Sequence, residues 1–176
     1  MSGVLQYPVR EMTPMRKIFA LAFIALALYG TPAQKRSFSL PALDGRTVDL
    51  THYRGQVVVL SFGATWCPPC REELPVLQKV ADQYRGRSVV FFWISIDDPE
   101  VSNDQLRQFV SRLGVRLPVL RDPEARILQE FKAEGVPALL ILDRNGDPVG
   151  APHVGFADPE SYISELTKTL DALLKP

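Results

Sequence analysis

Five consecutive residues, Trp66-Cys67-Pro68-Pro69-Cys70, contain the only two cysteines of this 176-residue chain. Two residues separate the thiols, so they are close enough to form a disulfide with each other. A bridge across so short a loop constrains the unfolded chain very little, which favours a reactive over a structural purpose. We therefore predict that the pair carries out dithiol–disulfide exchange.

The residues on either side predict a β-α-β unit around this motif. An apolar, β-branched run at 56–62 is typical of a strand buried on both faces. From Pro69 the apolar residues recur at helical spacing until Gly86, and 89–96 reads as a second buried strand. Such a crossover makes the two strands parallel and places the cysteines at the C-terminal edge of the sheet, where open α/β folds hold their sites.

The remaining elements complete one α/β domain over residues 38–174. Asp44-Gly45 predicts a β-hairpin within 38–50, and Pro148 and Pro152 place a late strand at the sheet edge. The other predicted elements are a helix behind a capping box at 102–105, a strand at 117–120, a helix at 124–131 after Asp122-Pro123, strands at 138–142 and 148–154, and a final helix from Pro159. We predict helices on both faces of a mixed sheet and a single core.

Residues 1–33 have the pattern of an export signal. Met15-Arg16-Lys17 precedes an apolar run at 18–29, and Thr31-Pro32-Ala33 is a small-residue cleavage site. A membrane-spanning helix needs about 20 apolar residues, and this run is shorter. We therefore favour a cleaved signal and keep an N-terminal membrane anchor as the alternative. The true start, Met1 or Met15, stays open. We expect an exported protein in the periplasm or another extracytoplasmic space.

Charge and composition narrow the possible partners. The formal net charge is zero, and no basic stripe follows the first segment, so we expect no nucleic-acid partner. A zinc site needs about four ligands, and only His52 and His153 could join the two cysteines. We therefore predict no metal and no cofactor other than a redox-active Cys67–Cys70 disulfide.

The two prolines inside the motif affect the expected redox potential of the cysteine pair. The partial positive charge of a helix N-terminus stabilises a cysteine thiolate, and the thiolate is the attacking species. If Cys67 is the N-cap, Pro69 has no N–H to offer its sulfur, so only the N–H of Cys70 remains. A less stabilised thiolate makes the couple more reducing, and we predict a reductant in which Cys67 attacks and the deeper Cys70 resolves.

The longer stretch Ser61-Phe-Gly-Ala-Thr-Trp66-Cys67-Pro68-Pro69-Cys70-Arg-Glu-Glu73-Leu-Pro75, with Gly135-Val136-Pro137 and Ile96-Asp97 downstream, resembles the thioredoxin superfamily. Within that superfamily it is most similar to the exported TlpA-like thiol–disulfide oxidoreductases, which have an AhpC/TSA-redoxin-like domain. The resemblance implies a thioredoxin-like fold with an N-terminal β-hairpin and a helix-strand-helix insertion before the cis-proline strand.

The resemblance also implies roles for single residues. Pro137 would be cis and lie against the disulfide, and Val136 would offer backbone hydrogen bonds to a substrate. Trp66, Pro68 and Pro69 would belong to the same substrate-binding rim, although composition alone would make Trp66 a partly buried core aromatic. Glu73 would exchange a proton with Cys70, and its alternative role is a solvated acid at the helix N-terminus.

Ser61 stands where cytosolic thioredoxins place a buried aspartate, so proton transfer falls to Glu73 or water. The implied partners are client proteins with disulfides and a membrane thiol-electron donor, with cytochrome c maturation as one route. We expect a monomer.

Two other functions share this architecture. A peroxiredoxin would need a threonine three residues before its reactive cysteine and a proline seven before, where this chain has Ala64 and Leu60. A copper-delivery protein of this fold has three residues between its cysteines and a distal histidine, whereas here two residues intervene. Covalent haem attachment would need a histidine in place of Arg71.

Overall fold

The computed structural model describes residues 37–175, and the predicted export signal at 1–33 lies outside them. Strands and helices alternate through most of the chain. The strands are β1 (Ser39–Pro41), β2 (Thr47–Asp49), β3 (Val57–Gly63), β4 (Val89–Ser95), β5 (Val119–Arg121), β6 (Ala138–Leu142) and β7 (His153–Val154). The α-helices are α1 (Pro68–Gln83), α2 (Asn103–Arg112), α3 (Arg126–Glu130) and α4 (Pro159–Leu173), and a 3-10 turn spans Leu50–Tyr53.

The central sheet is mixed, as predicted. Its five strands run in the order β5-β4-β3-β6-β7, with β3, β4 and β5 parallel and with β6 and β7 antiparallel to their neighbours. β3 occupies the centre, and every one of its residues is buried. The parallel β3-α1-β4 unit brings the end of β3, the start of α1 and the end of β4 to one edge of the sheet.

Side chains pack against both faces of the sheet, so the expected single core is divided in two. Alternation along β3 sends Val57 and Val59 to one cluster and Val58 and Leu60 to the other. The first cluster is covered by α1, α2 and α4, and the second by the β1–β2 hairpin and α3. The helices therefore lie on both faces, as predicted, but the second face has only the short α3.

Most predicted elements are confirmed to within about two residues. The hairpin is antiparallel, and the capping box of α2 is present: Gln105 N–H donates to the Ser102 hydroxyl, while Ser102 N–H donates to the Gln105 side chain. The helix-strand-helix segment before β6 also occurs as α2-β5-α3. This element order and sheet match the thioredoxin-like fold that the family resemblance implied.

The prediction for the helix at 124–131 was wrong at its start. α3 begins at Arg126, and Ala125 before it has a left-handed backbone with φ of 51°. Asp122 closes a turn, since Ala125 N–H donates to its carbonyl oxygen at 2.8 Å. Its carboxylate then accepts from the N–H groups of Arg126 and Ile127. The turn separates Pro123 from the helix, so Pro123 does not occupy the first helical position.

The predicted strand 148–154 was also wrong in extent. Only His153–Val154 pairs with β6 as a strand, and Pro148 makes one isolated bridge to Leu142. Pro148 and Pro152 have no N–H for a ladder, and Gly150 turns the chain with φ of 76°. The predicted edge position is correct, because β7 is the last strand of the sheet.

Candidate active site

Cys67 and Cys70 form a disulfide at the N-terminus of α1. Cys67 is the N-cap residue, and Pro68 and Pro69 occupy the first two helical positions. The Cys67 sulfur accepts one hydrogen bond, from the N–H of Cys70 at 3.3 Å. The sequence predicted this single donor, because Pro69 has no N–H and only the N–H of Cys70 remains.

Both cysteines are buried, but Cys67 has exposed residues on either side of it in the chain. Cys67 is 3% exposed and Cys70 is 0% exposed, so Cys67 lies nearer the surface. Trp66 is 61% exposed, and Pro68 is exposed beside it. The reading of Trp66 as a core aromatic is therefore wrong, and its indole forms an apolar projection next to Cys67.

The Val136–Pro137 peptide bond is cis, which confirms the geometry implied by the resemblance. The side chain of Val136 packs against a small buried cluster formed by Ala64, Cys67 and Cys70. Among residues 37–175, neither the N–H nor the carbonyl of Val136 has a main-chain hydrogen-bond partner. The structure thus brings residues 136 and 137 to the disulfide and leaves the Val136 backbone available.

Glu73 is buried, so its reading as a solvated acid is wrong. Only 1% of the residue is exposed. The Tyr162 hydroxyl donates to one carboxylate oxygen at 2.6 Å, and the Ser61 hydroxyl donates to the other at 3.0 Å. Glu73 lies three positions after Cys70 on α1, which puts the two side chains on one helical face.

The surroundings of Glu73 shift the pKa of its carboxyl toward neutrality. Burial raises the pKa of its carboxyl from 4.5 to about 7, against the two hydrogen bonds, which lower it. Burial, together with the Glu73 charge, also raises the pKa of Tyr162 well above its usual value, so Tyr162 stays a hydrogen-bond donor. A carboxyl that titrates near the working pH suits general acid–base transfer.

Tyr162 was missed from the sequence. It lies one helical turn before Leu166 on the inward-facing stripe of α4, so its burial could be predicted from the spacing. Its partner could not be predicted, because 89 residues separate Tyr162 from Glu73.

Gly63 and Trp93 were missed as well, and both border the disulfide. A Cβ added at Gly63 would lie 3.2 Å from the Cys70 sulfur and 2.8 Å from Nε1 of Trp93. Gly63 therefore permits the close approach of three elements: β3, β4 and the start of α1. The only sequence signal is a glycine at the end of a buried strand.

Asp97 holds the loop that precedes the cysteines. It is buried just beyond β4, and its carboxylate accepts from the N–H and the hydroxyl of Thr65 at 2.6–3.0 Å. The Ser95 hydroxyl donates to the same carboxylate at 2.8 Å. These bonds fix the backbone immediately before Trp66 and Cys67.

The geometry agrees with the comparison to known families. Residues 30–147 match the model of the AhpC/TSA family, which is more than half of the chain. The chain belongs to the AhpC/TSA family. The match covers the β-α-β unit, the disulfide and the cis-proline strand of this AhpC/TSA-family domain, and it confirms the resemblance to thioredoxin-superfamily proteins.

The relatives of this AhpC/TSA-family chain include proteins named for thiol–disulfide exchange or for likeness to thioredoxin. The thiol-disulfide oxidoreductase ResA of Geobacillus thermodenitrificans is 28% identical over 129 residues, which are 73% of this chain and 72% of ResA. The thioredoxin-like protein YneN of Bacillus subtilis is 33% identical over 113 residues, 64% of this chain and 65% of YneN. A crystal structure from Chlorobium tepidum, assigned as the thiol:disulfide interchange protein DsbE, superposes with a TM-score of 0.70 at 26% identity, covering 80% of this chain and 95% of that one.

Two further findings concern metals and membranes. In the part of this AhpC/TSA-family chain that the structure describes, no three His, Cys, Asp or Glu side chains are grouped to hold a metal ion. Likewise, none of the helices within residues 37–175 has the length and apolar character needed to span a bilayer.

Proposed function

We propose that this protein is a thiol–disulfide oxidoreductase that reduces disulfides of client proteins through a Cys67–Cys70 dithiol/disulfide cycle. The observation that carries the proposal is the disulfide at the N-terminus of α1, with cis Val136–Pro137 beside it. Relatives named thiol–disulfide oxidoreductases support the reaction class.

The first step uses the reduced protein. The Cys67 thiolate attacks one sulfur of a client disulfide, a Cys67–client bond forms, and the second client sulfur leaves as a thiolate that takes up a proton. Trp66, Pro68 and Pro69 form the rim at which the client arrives. The unpaired backbone of Val136 supplies hydrogen bonds to an extended client segment beside the mixed disulfide.

The second step releases the client. Cys70 gives its proton to Glu73 or to water, and its thiolate attacks the Cys67 sulfur of the mixed disulfide. The client sulfur leaves and is protonated, and Cys67–Cys70 becomes a disulfide. The client gains two electrons and two protons, and the protein loses them. Glu73 suits this transfer because its pKa of about 7 lets it accept and return a proton at neutral pH.

A new cycle needs two electrons from a thiol donor. We propose a membrane thiol-electron donor, which is consistent with an exported protein whose residues 1–33 act as signal or anchor. Exported proteins with disulfides are the proposed clients, and apocytochrome c is one candidate among them. We propose that the protein works as a monomer.

Trapping with Cys70→Ser tests the function. This variant retains the Cys67 attacker and lacks the resolving thiol, so it should accumulate mixed disulfides that migrate as larger species without reducing agent. Cys67→Ser is the matched control and should trap no clients. Traps that form with Cys67→Ser and not with Cys70→Ser would reverse the assignment of attacker and resolver.

The redox potential tests the direction of the reaction. Because the Cys67 sulfur has one backbone donor, we expect a potential well below the roughly −120 mV of a strong periplasmic oxidant. Replacing Pro69 by alanine restores an N–H at the second helical position and should make the potential less negative. A parent potential near −120 mV would contradict the reductant assignment.

The peroxidase alternative has less support from the site. Ala64 lies in the buried cluster with both cysteines, at the position where a peroxiredoxin would need a threonine hydroxyl. We expect negligible peroxide consumption by the reduced protein, measured against its rate of disulfide reduction. Copper titration of the reduced protein tests the copper-delivery alternative, for which we expect no stoichiometric binding.

A further inference from the structure

The indole N–H of Trp93 is a buried donor without an acceptor. Trp93 is 0% exposed, and its Nε1 has no hydrogen-bond partner among residues 37–175. Buried polar groups are nearly always paired, because an unpaired donor loses its hydration without compensation. An exception of this kind beside a reactive site requires a physical reason.

The position of this N–H is fixed by packing. Trp93 lies on β4 directly opposite Ser61 of β3, and its ring stacks on Phe109 of α2 with 5.6 Å between centroids. The Cβ position of Gly63 lies 2.8 Å from Nε1 and 3.2 Å from the Cys70 sulfur. Both atoms therefore border the position that a side chain at residue 63 would occupy, which the glycine leaves open.

The oxidised and reduced states of Cys70 differ in what they can accept. A disulfide sulfur is a weak acceptor, whereas a thiolate carries a full charge and forms charge-assisted hydrogen bonds. Cys70 is fully buried in the oxidised protein, so once the disulfide opens its thiolate requires a hydrogen-bond donor from the protein. The indole N–H is the unpaired donor that borders this sulfur.

We propose that Trp93 donates a hydrogen bond to the Cys70 thiolate in the reduced protein and in the mixed disulfide. Trp93 is then a positioning residue that stabilises the resolving nucleophile and aims it at Cys67. It keeps its own proton and exchanges no electrons. This inference deepens the proposed function and rests on it, since the thiolate matters only if Cys70 resolves a mixed disulfide.

Other ionisable groups lie around the site, and their effects must be separated in the test. Cys67 and Glu73 approach from α1, and Tyr162 of α4 bonds to Glu73. Beyond β4, the Asp97 carboxylate is occupied by Thr65 and Ser95. Glu73 titrates near neutral pH, so its effect on the indole has to be removed by substitution.

The first experiment follows the indole N–H by NMR in the full chain. The chain has two tryptophans, and Trp66→Phe assigns the two indole signals. In Cys67→Ser, which leaves Cys70 as the only thiol, the Trp93 indole proton should move downfield over the pH range in which the thiolate absorbance near 240 nm appears. The shift should persist in Cys67→Ser/Glu73→Gln, and the Trp66 signal should stay constant.

The second experiment removes the donor. Trp93→Phe in the Cys67→Ser background keeps an aromatic ring and should raise the pKa of Cys70 by about one unit, which is tenfold less thiolate at a pH well below the pKa. Phe109→Leu is the control, because it loosens the packing against Trp93 and retains the N–H. It should leave the pKa of Cys70 unchanged.

The proposal is overturned if the chemical shift of the Trp93 indole proton does not change when Cys70 ionises. It is also overturned if Trp93→Phe and Phe109→Leu shift the pKa of Cys70 equally. The NMR experiment needs no change at position 93, so it decides the matter even if Trp93→Phe does not fold. Failure of the proposed function would appear separately, as the absence of client trapping by Cys70→Ser.

Discussion

The Tyr162 hydroxyl donates a hydrogen bond to the carboxylate of Glu73 across 2.6 Å, although 89 residues separate them. The bond joins α4 to the first turns of α1, one helical turn beyond Cys70. The Ser61 hydroxyl donates to the other oxygen, so both carboxylate oxygens of Glu73 accept from hydroxyl groups that keep their protons. Among residues 37–175 no cationic side chain pairs with Glu73. This arrangement explains a carboxyl that titrates near neutral pH.

Removing the Tyr162 hydroxyl should raise the pKa of Glu73 further. A hydrogen bond to a charged group is worth roughly 1.5–3 kcal/mol, so Tyr162→Phe should move the pKa up from about 7 by roughly one to two units. The carboxyl carbon shift of labelled Glu73, followed against pH in the oxidised protein, measures this. Tyr84→Phe is the control, since Tyr84 bonds to Thr167 and Asp171 on the same helix. An equal shift in both variants would rule out the direct contact as the cause.

The burial of Glu73 should make stability fall as pH rises. Its folded pKa of about 7 exceeds the ordinary value of 4.5 expected for the unfolded chain, so between these pH values the folded state binds more protons than the unfolded state. The free energy of unfolding should drop across this window by about 3 kcal/mol at most.

Glu73→Gln isolates that contribution. The variant should match the parent near pH 5 and exceed its stability near pH 8, because glutamine carries no buried charge. Urea unfolding of both oxidised proteins at several pH values provides the comparison. Parallel pH profiles for parent and variant would show that Glu73 is ionised or solvated in a different way.

Gly63→Ala should destabilise the fold at the disulfide. The new methyl group would lie 2.8 Å from Nε1 of Trp93 and 3.2 Å from the Cys70 sulfur, and neither atom has room to move. Overpacking of this kind costs about 1–3 kcal/mol, measurable by urea unfolding. Gly135→Ala is the control, because its nearest contact is Val154 at an ordinary 3.5 Å. Equal losses from both variants would contradict the steric account.

Asp97→Ala should loosen the loop before the cysteines. It leaves the Thr65 N–H and two hydroxyl groups without their acceptor, at a cost of about 2 kcal/mol in unfolding free energy. Amide hydrogen exchange at Thr65 should accelerate. Asp98→Ala, at the exposed neighbouring position, should change neither quantity. Unchanged exchange at Thr65 in Asp97→Ala would show that other contacts hold the loop.

Local rules predicted the elements around the cysteines well. Apolar runs and helical spacing located β3, α1 and β4, and the Ser102–Gln105 capping box located α2, because each signal lies within the element itself. The same rules failed at α3 and β7. There the left-handed backbone of Ala125 delays the start of α3, and the prolines at 148 and 152 together with the turn at Gly150 shorten β7.

The features of the candidate site were also predicted only in part from the sequence. The sequence predicted one backbone donor for Cys67 if Cys67 is the N-cap, and the structure confirms both the N-cap and the donor, which lie within four residues of each other. The cis bond at Pro137 followed from family resemblance and not from local rules. Trp66 could be read as core or rim, and only the packed fold showed it exposed.

By itself, the sequence determined that this chain has one reactive cysteine pair at the start of a helix after a buried strand. These properties depend on neighbours along the chain. The tertiary structure alone decided that Glu73 is buried under Tyr162 and Ser61, and that Trp93 and Gly63 border Cys70. Burial and hydrogen-bond partners come from segments brought together by folding, and these set the pKa of Glu73 and the surroundings of the sulfurs.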